Sequence, residues 1–290
     1  MSAGRFAPSP SGDLHVGNLR TALLAWLFAR STGRVLLLRV EDLDRVQPGS
    51  EQRQLDDLRA LGLDWDGPVV RQSERRDLYD EAVRSLTAAG RTFECFCTRR
   101  EILEAPSAPH LPPGAYPGTC RDLSDAERAR RAAERPPAVR LRADVQEWTV
   151  HDVLVGSFTG VVDDVVLRRN DGVPAYNLAV VVDDAAQGVD QVVRGDDLLT
   201  SAPRQAHLAS LLGAAQPEYA HVPLALNAEG RRLAKRDGAV TYRELTEQGV
   251  DVLEIIGTSL GLTGSPQDML AAFDPAALPR DAWTFVPPAT

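Results

Sequence analysis

The sequence predicts an α/β fold built on a parallel sheet. Three features carry this: short apolar runs alternate with helical patterns, the first elements read strand–helix–strand, and glycine-bearing turns separate them. Arg5-Phe6-Ala7 is the first strand, followed by the turn-rich Pro8-Ser9-Pro10-Ser11-Gly12. From Val16 the apolar positions Leu19, Ala22, Leu23, Trp26 and Leu27 recur at helical spacing, and Gly33 supplies the stop. Val35-Leu36-Leu37-Leu38 reads as a buried strand that runs into the acidic Glu41-Asp42-Leu43-Asp44. Strand, helix and strand in so little chain form a βαβ unit, whose crossover makes the two strands parallel. Two more helices are expected, opening near Ser50 and Ser73 and stopping around Gly62 and Gly90.

From about Arg91 to Arg142 the character changes. This stretch carries every cysteine, a proline-rich loop (Pro106, Pro109, Pro112, Pro113, Pro117) and a capping box, Ser124 to Glu127, that opens an arginine-rich helix. It is expected to be an insertion. Apolar runs then resume at Val161–Leu167, Ala179–Val182 and Val189–Val193, and a helix starts near Ser201 with Pro203 in its first turn, ending at Gly213. From about Thr241 the chain reads as short helices. The expected organisation is therefore 1–90 and 143–215 as two halves of one catalytic domain, 91–142 as the insertion, and 216–290 as a loop-bearing, helical C-terminal region.

Composition bounds the function. The chain has 290 residues, 43% hydrophobic and 25% charged, which are ordinary globular values that exclude disordered and collagen-like classes. No apolar run reaches the roughly eighteen residues a membrane span needs. The opening lacks the basic-then-apolar order of a signal peptide, and three cysteines do not make a secreted disulfide framework; a cytoplasmic monomer is expected. The net charge of −9 excludes a surface that coats nucleic acid everywhere. Of the 32 basic residues Lys235 is the sole lysine.

Two segments carry chemistry. A glycine-bearing loop between a first strand and its helix is where α/β sheets bind phosphates, because free amides and the positive helix end favour anions. Gly12, His15, Gly17 and Asn18 occupy that place, His15 as a donor at the helix entrance and Gly17 permitting close backbone approach. Far downstream, Arg231-Arg232-Leu233-Ala234-Lys235-Arg236-Asp237-Gly238 puts the lone compact ammonium in a basic loop, suited to neutralising a departing pyrophosphate.

Here the chain resembles the class I aminoacyl-tRNA synthetases, specifically the glutamate branch. Arg5 to Gly12 with His15-Val16-Gly17-Asn18 is similar to that branch's first signature, and Arg39-Val40-Glu41-Asp42-Leu43-Asp44-Arg45 to its second. Tyr176 to Asp184, Val193 to Leu199, and Arg232-Leu233-Ala234-Lys235-Arg236 are similar to three more. The chain departs at Asn18, where a second histidine is usual, at Ala234 and Arg232 in the lysine loop, and at Val180, where some relatives have a polar residue. Full glutamyl-tRNA synthetases continue with a helical anticodon-reading region, whereas this sequence ends at Thr290. The resemblance is thus to the free-standing catalytic domains that attach glutamate to queuosine in the tRNA(Asp) anticodon.

That resemblance implies a Rossmann-like doubly wound parallel sheet with a zinc-bearing insertion, and a ligase that activates glutamate with ATP before any tRNA binds. It implies His15 and Lys235 as catalytic; Arg5, Ser9, Glu41, Tyr176 and Arg194 around glutamate; and Gly12, His15, Gly17, Asn18, Leu233 and Lys235 around ATP with Mg²⁺. From the residues alone, Arg5 and Arg194 could instead be structural ion pairs, Arg194 with the adjoining Asp196 and Asp197. Cys95-Phe96-Cys97 with Cys120 suits a structural zinc, which wants four ligands. His110 is the commoner ligand type, while the resemblance implies Tyr116. Arg99, Arg100, Arg128, Arg130, Arg131, Arg135, Arg140 and Arg142 form a candidate RNA-contacting patch, or a solvated face balanced by acids. Two other functions fit: a truncated synthetase charging a tRNA 3′ end with a partner, and a non-catalytic relative that binds glutamyl-adenylate.

Overall fold

The computed structural model describes residues 2–104, 116–233 and 240–287. The first βαβ unit forms as the pattern dictates: β1 (Ala3–Phe6), α1 (Val16–Ser31) and β2 (Val35–Val40), with β1 and β2 parallel. After α2 (Ser50–Ala60), β3 (Val70–Arg71) and α3 (Arg76–Ala88), the chain enters the insertion. Its elements are β4 (Thr92–Cys95), α4 (Arg99–Glu104), α5 (Asp125–Glu134) and β5 (Ala138–Leu141). The Ser124–Glu127 capping box is present at the start of α5. Next come β6 (Glu147–Asp152), β7 (Gly156–Val161), β8 (Val166–Arg168), α6 (Tyr176–Ala186), β9 (Val189–Gly195), α7 (Ala202–Leu211) and β10 (Glu218–Val222). The last part comprises β11 (Ala225–Leu226), α8 (Tyr242–Glu247), α9 (Val252–Thr258), α10 (Pro266–Ala272) and β12 (Trp283–Thr284).

Seven strands make the main sheet, in the order β3-β2-β1-β9-β10-β6-β7. All neighbours are parallel except the edge strand β7, which is antiparallel to β6. Helices cover both faces. Val193 joins the cluster built around α1, while its neighbour Val192 points the other way, toward Ala202 and Ala206 of α7. α1 is apolar on nearly its whole circumference, with twelve of sixteen residues buried, which marks a helix sandwiched between layers. It lies between the sheet and the C-terminal helices, where Phe28 meets Phe273 edge to face at 5.2 Å. Among the described residues no helix is long and apolar enough to cross a membrane.

Two apolar runs resolve in ways the pattern did not dictate. Ala179–Val182 lies inside α6, packed on Tyr79, Leu178 and Leu208; a run of four is too short to separate a buried strand from a buried helix. Val161–Leu167 is split at Asp163-Asp164, and its second half is β8, which pairs with β5 in a separate three-stranded sheet, β4-β5-β8. That small sheet therefore takes one strand from outside 91–142.

The C-terminal helices are tightly fitted. A Cβ at Gly257 would stand 2.3 Å from Met269 Cε and 3.0 Å from the Leu262 carbonyl oxygen. The methionine can swing away; the carbonyl cannot. Gly257→Ala is expected to cost about 1–3 kcal/mol, read as a lower urea midpoint at unchanged slope. An unchanged midpoint would show that α9 and α10 slide apart freely.

Candidate active site

The chain leaves β1 toward β2 and β3 and later returns on the other side of β1 as β9, so β1 and β9 bracket a topological switch point, the usual ligand crevice of open α/β sheets. A cavity of about 400 Å³ opens there, at the carboxyl ends of the strands. Its lining includes Arg5, Ser9, Gly12, His15, Gly17, Asn18, Glu41, Tyr176 and Arg194. The fold thus brings together nine of the residues singled out in the sequence, from four separate motifs.

At one end is the mouth of α1. His15 is its N-cap: Nδ1 accepts from the Asn18 backbone N–H at 3.2 Å, and Asn18 Oδ1 accepts from the His15 N–H at 3.2 Å. Asn18 therefore closes a capping box, a task for which charge is irrelevant. With Nδ1 accepting, a neutral His15 ring carries its proton on Nε2. Gly17 permits a close approach, but to protein: a Cβ there would lie 2.8 Å from the Ala225 methyl and 3.1 Å from the His15 ring. Gly12 stands at φ +141°, which favours glycine. Gln54 from α2 clamps this loop, donating through Nε2 to the carbonyls of Ser9 (3.0 Å) and Gly12 (2.6 Å).

At the other end sit three buried guanidiniums and three acids. Arg5 reaches Asp184 at 3.4 Å and donates to the Val193 carbonyl at 3.2 Å. Arg39, fully buried, bonds Asp184 at 2.8 Å and lies 3.6 Å from Glu41 and 3.7 Å from Asp183. Burial pushes the Glu41 carboxyl above its usual range despite Arg39 and Arg5. Burial pushes Asp184 the same way, but there Arg39 and Arg5 win and hold it low. Arg194 makes no ion pair with Asp196 or Asp197; it donates to His221 Nε2 (3.0 Å), Gln205 Oε1 (2.7 Å) and the Leu198 carbonyl (3.4 Å). Asp197 is instead paired with Arg232 at 2.6 Å. Val180 is a core residue packed with Tyr79 and Leu208, so its difference from the usual polar residue does not alter the cavity lining.

Arg39, Asp152, Gln205 and His221 are functional candidates that the sequence reasoning missed as site residues. Arg39 was visible, buried by its strand pattern and next to Glu41. Arg39→Met is expected to destabilise the protein by about 3–5 kcal/mol, because it strands buried acids without their counter-charge. Chemical denaturation checks this; a wild-type midpoint would refute it.

Lys235 and Ala234 lie outside the described residues. Their flanks do not. Arg232 lines the cavity, and the Leu233 side chain is buried in the α1 core, leaving its backbone for any ligand contact. On the far side, Val240 accepts from the Val16 N–H at 2.8 Å, and Thr241 bridges to His15. Both ends of the segment thus stand beside the first turn of α1.

The cysteines converge. Their three sulfurs lie within 4.8 Å of one another, Cys97 and Cys120 at 3.5 Å. Tyr116 Oη lies 3.4 Å from Cys95 Sγ and 3.9 Å from Cys97 Sγ. The separations of 3.4, 3.5 and 3.9 Å lie close to the edges of about 3.5–3.8 Å expected for a tetrahedron of sulfur and oxygen around zinc, and the remaining sulfur separations are no more than 4.8 Å. The donor set therefore fits a zinc ion held by Cys95, Cys97, Cys120 and Tyr116; His110 lies outside the described residues.

The arginine patch is mostly spoken for. Arg140 is buried with its guanidinium 3.8 Å over the Tyr116 ring, and so cannot meet RNA. Arg131 approaches Cys120 Sγ at 3.6 Å, while Arg128, Arg135 and Arg142 pair with acids. Arg99 and Arg130 stay exposed.

Residues 3–273 match the family of class I tRNA synthetases for glutamate and glutamine, catalytic domain. The chain belongs to this family and is an aminoacyl-tRNA synthetase of the ligase class. Within it, the chain is 68% identical over 286 residues to the glutamyl-Q tRNA(Asp) synthetase of Nocardia farcinica, covering 97% of this chain and 92% of that protein. It is 54% identical over 269 residues to the protein of the same name from Cutibacterium acnes, covering 90% and 76%. Among solved structures it is similar to a glutamate tRNA ligase from Elizabethkingia meningosepticum in complex with its amino acid, with a TM-score of 0.81 at 29% identity over 99% of this chain and 67% of that one.

Proposed function

We propose that the chain joins L-glutamate and ATP to form glutamyl-adenylate without tRNA, then passes glutamate to the queuosine base in the anticodon of tRNA(Asp), in the cytoplasm. One observation carries this reading: a single cavity runs from an anion-attracting helix mouth to a pocket with two buried guanidiniums and Glu41. The names of the relatives support the acceptor.

Glutamate presents two carboxylates and an ammonium. Arg5 and Arg194 take the carboxylates, Glu41 the ammonium, and Ser9 and Tyr176 complete the wall. The glutamate α-carboxylate then attacks the α-phosphorus of ATP, releasing pyrophosphate. Charge builds on phosphate oxygens, so the protein's work is positioning and electrostatics. His15 donates from Nε2 to the phosphates, the backbone at Gly12 and Leu233 lets the nucleotide close in with Gly17 and Asn18 beside it, and Lys235 is assigned to neutralising the β and γ phosphates. Mg²⁺ bound with ATP would share the neutralisation of the triphosphate. In the second step an acceptor hydroxyl attacks the mixed anhydride and AMP leaves. A second hollow of about 430 Å³ shares Ser9, Ser11, Glu41 and Tyr176 with the first, giving an acceptor its own approach to that wall.

The test is isotope exchange followed by transfer. Glutamate-dependent ATP–pyrophosphate exchange is expected without tRNA, and labelled glutamate should pass to tRNA(Asp) containing queuosine but not to unmodified tRNA(Asp) or tRNA(Glu). No exchange, or transfer to tRNA(Glu), would overturn the reading.

A further inference from the structure

Behind Arg194 lies a chain of buried groups that no step above uses. Asp152, at the end of β6, and His221, on β10, are both fully buried. Asp152 Oδ1 accepts the backbone N–H groups of Leu154 (2.8 Å) and Val155 (2.9 Å). Its Oδ2 accepts the His221 backbone N–H at 2.9 Å and meets His221 Nδ1 at 2.7 Å. On the far side of the ring, Nε2 lies 3.0 Å from Arg194 Nε. Arginine cannot accept, so Nε2 must, and the His221 proton sits on Nδ1, facing Asp152. Gln205 holds a terminal nitrogen of Arg194 and in turn donates to Asn177 of α6 at 2.9 Å. Three of the guanidinium's donors are thereby used, leaving one on each terminal nitrogen.

We propose that Asp152 and His221 are positioning residues for glutamate binding: Asp152 fixes the His221 tautomer, and His221 fixes the Arg194 fork in the orientation that takes a substrate carboxylate. The logic is that of a buried acid holding an imidazole in one tautomer, turned here to aiming a guanidinium instead of taking a proton. The inference rests on the reading that Arg194 grips glutamate.

A purely architectural role would be a tie between β6 and β10, which otherwise pair at one position, Tyr219 with Asp152. The two roles separate by substrate. Asp152→Asn places an amide donor against His221 and forces the ring proton onto Nε2, where it confronts the Nε–H of Arg194. His221→Leu removes the acceptor but keeps bulk, whereas His221→Gln keeps an acceptor. In the exchange assay without tRNA, the glutamate KM of Asp152→Asn and His221→Leu should rise roughly tenfold or more, with the ATP KM unchanged and His221→Gln largely rescued. Equal effects on both substrates, or none on glutamate, would overturn the relay.

Should those variants fail to fold, the wild-type enzyme decides. The charged and titratable groups facing His221 are Asp152, Asp196, Arg194, Arg5 and the stacked Tyr219. Burial lowers the proton affinity of the His221 ring, so at neutral pH ¹⁵N NMR of the wild type should show a neutral ring with its proton on Nδ1, and glutamate, but not ATP, should shift its Nε2 resonance. A ring that carries its proton on Nε2, or an Nε2 resonance that glutamate leaves unmoved, would refute the relay. Absence of glutamate-dependent exchange in the wild type would instead refute the assignment of Arg194 to the substrate, which keeps the two failures distinct.

Discussion

Arg194→Lys is expected to cut kcat/KM for glutamate in the exchange reaction by roughly a hundredfold. The side chain is 6% exposed and three of its donors already serve His221, Gln205 and Leu198. A lysine ammonium is one point charge at the end of a flexible stem. It cannot bond His221 on one side and present a planar pair to a carboxylate on the other. Burial lowers the proton affinity of Arg194, with Arg5 adding to the effect, and a lysine in its place would pay the same cost from a lower starting value. The loss should therefore deepen as pH rises, because a deprotonated amine attracts no carboxylate. Steady-state exchange kinetics at several pH values measure it; a variant within threefold of wild type would remove Arg194 from the pocket.

Cys97→Ser is expected to abolish metal binding and loosen the insertion. Elemental analysis of the wild type should give one zinc per chain, and none for the variant. The stretch holding the sulfurs packs Phe93, Cys95, Phe96, Tyr116 and Cys120 as a small cluster of its own. Structural zinc contributes on the order of 10 kcal/mol to such a site, far more than that cluster supplies. Limited proteolysis should cleave the variant, or chelated wild type, within 95–120 first. Tyr116→Phe should retain zinc more weakly, since three sulfurs remain. Wild type free of zinc and equally resistant to protease would refute the site.

Much of this was legible in the sequence because it is local. Helix α1, its stop near Gly33, the Ser124 box and Pro203 in the first turn of α7 all follow from spacings of a few residues. The helix-mouth end of the cavity was legible for the same reason: His15, Gly17 and Asn18 share one turn. The residues at the arginine-bearing end of the cavity were named one by one, through resemblance, but not as a network. Asp152 and His221 are 69 positions apart in sequence, and no periodicity joins them. Two arginine alternatives left open by the sequence resolve for one cause. Sequence proximity allowed Arg194 a pair with Asp196 or Asp197 and grouped Arg140 with the exposed insertion residues; strand direction instead turned each inward, Arg194 onto His221 and Arg140 over Tyr116.

The pairing of β11 with β12 has a temporal side. Leu224 and Ala225 form part of the cavity wall, and Ala225 is the residue on which Gly17 rests. That wall is stitched to Trp283 and Phe285, whose N–H groups bond the carbonyls of Leu224 and Leu226 at 2.9 and 2.8 Å. During translation the first signature is made long before this partner strand. A nascent chain therefore carries the α1 side of the cavity well before the strand that braces the opposite wall exists.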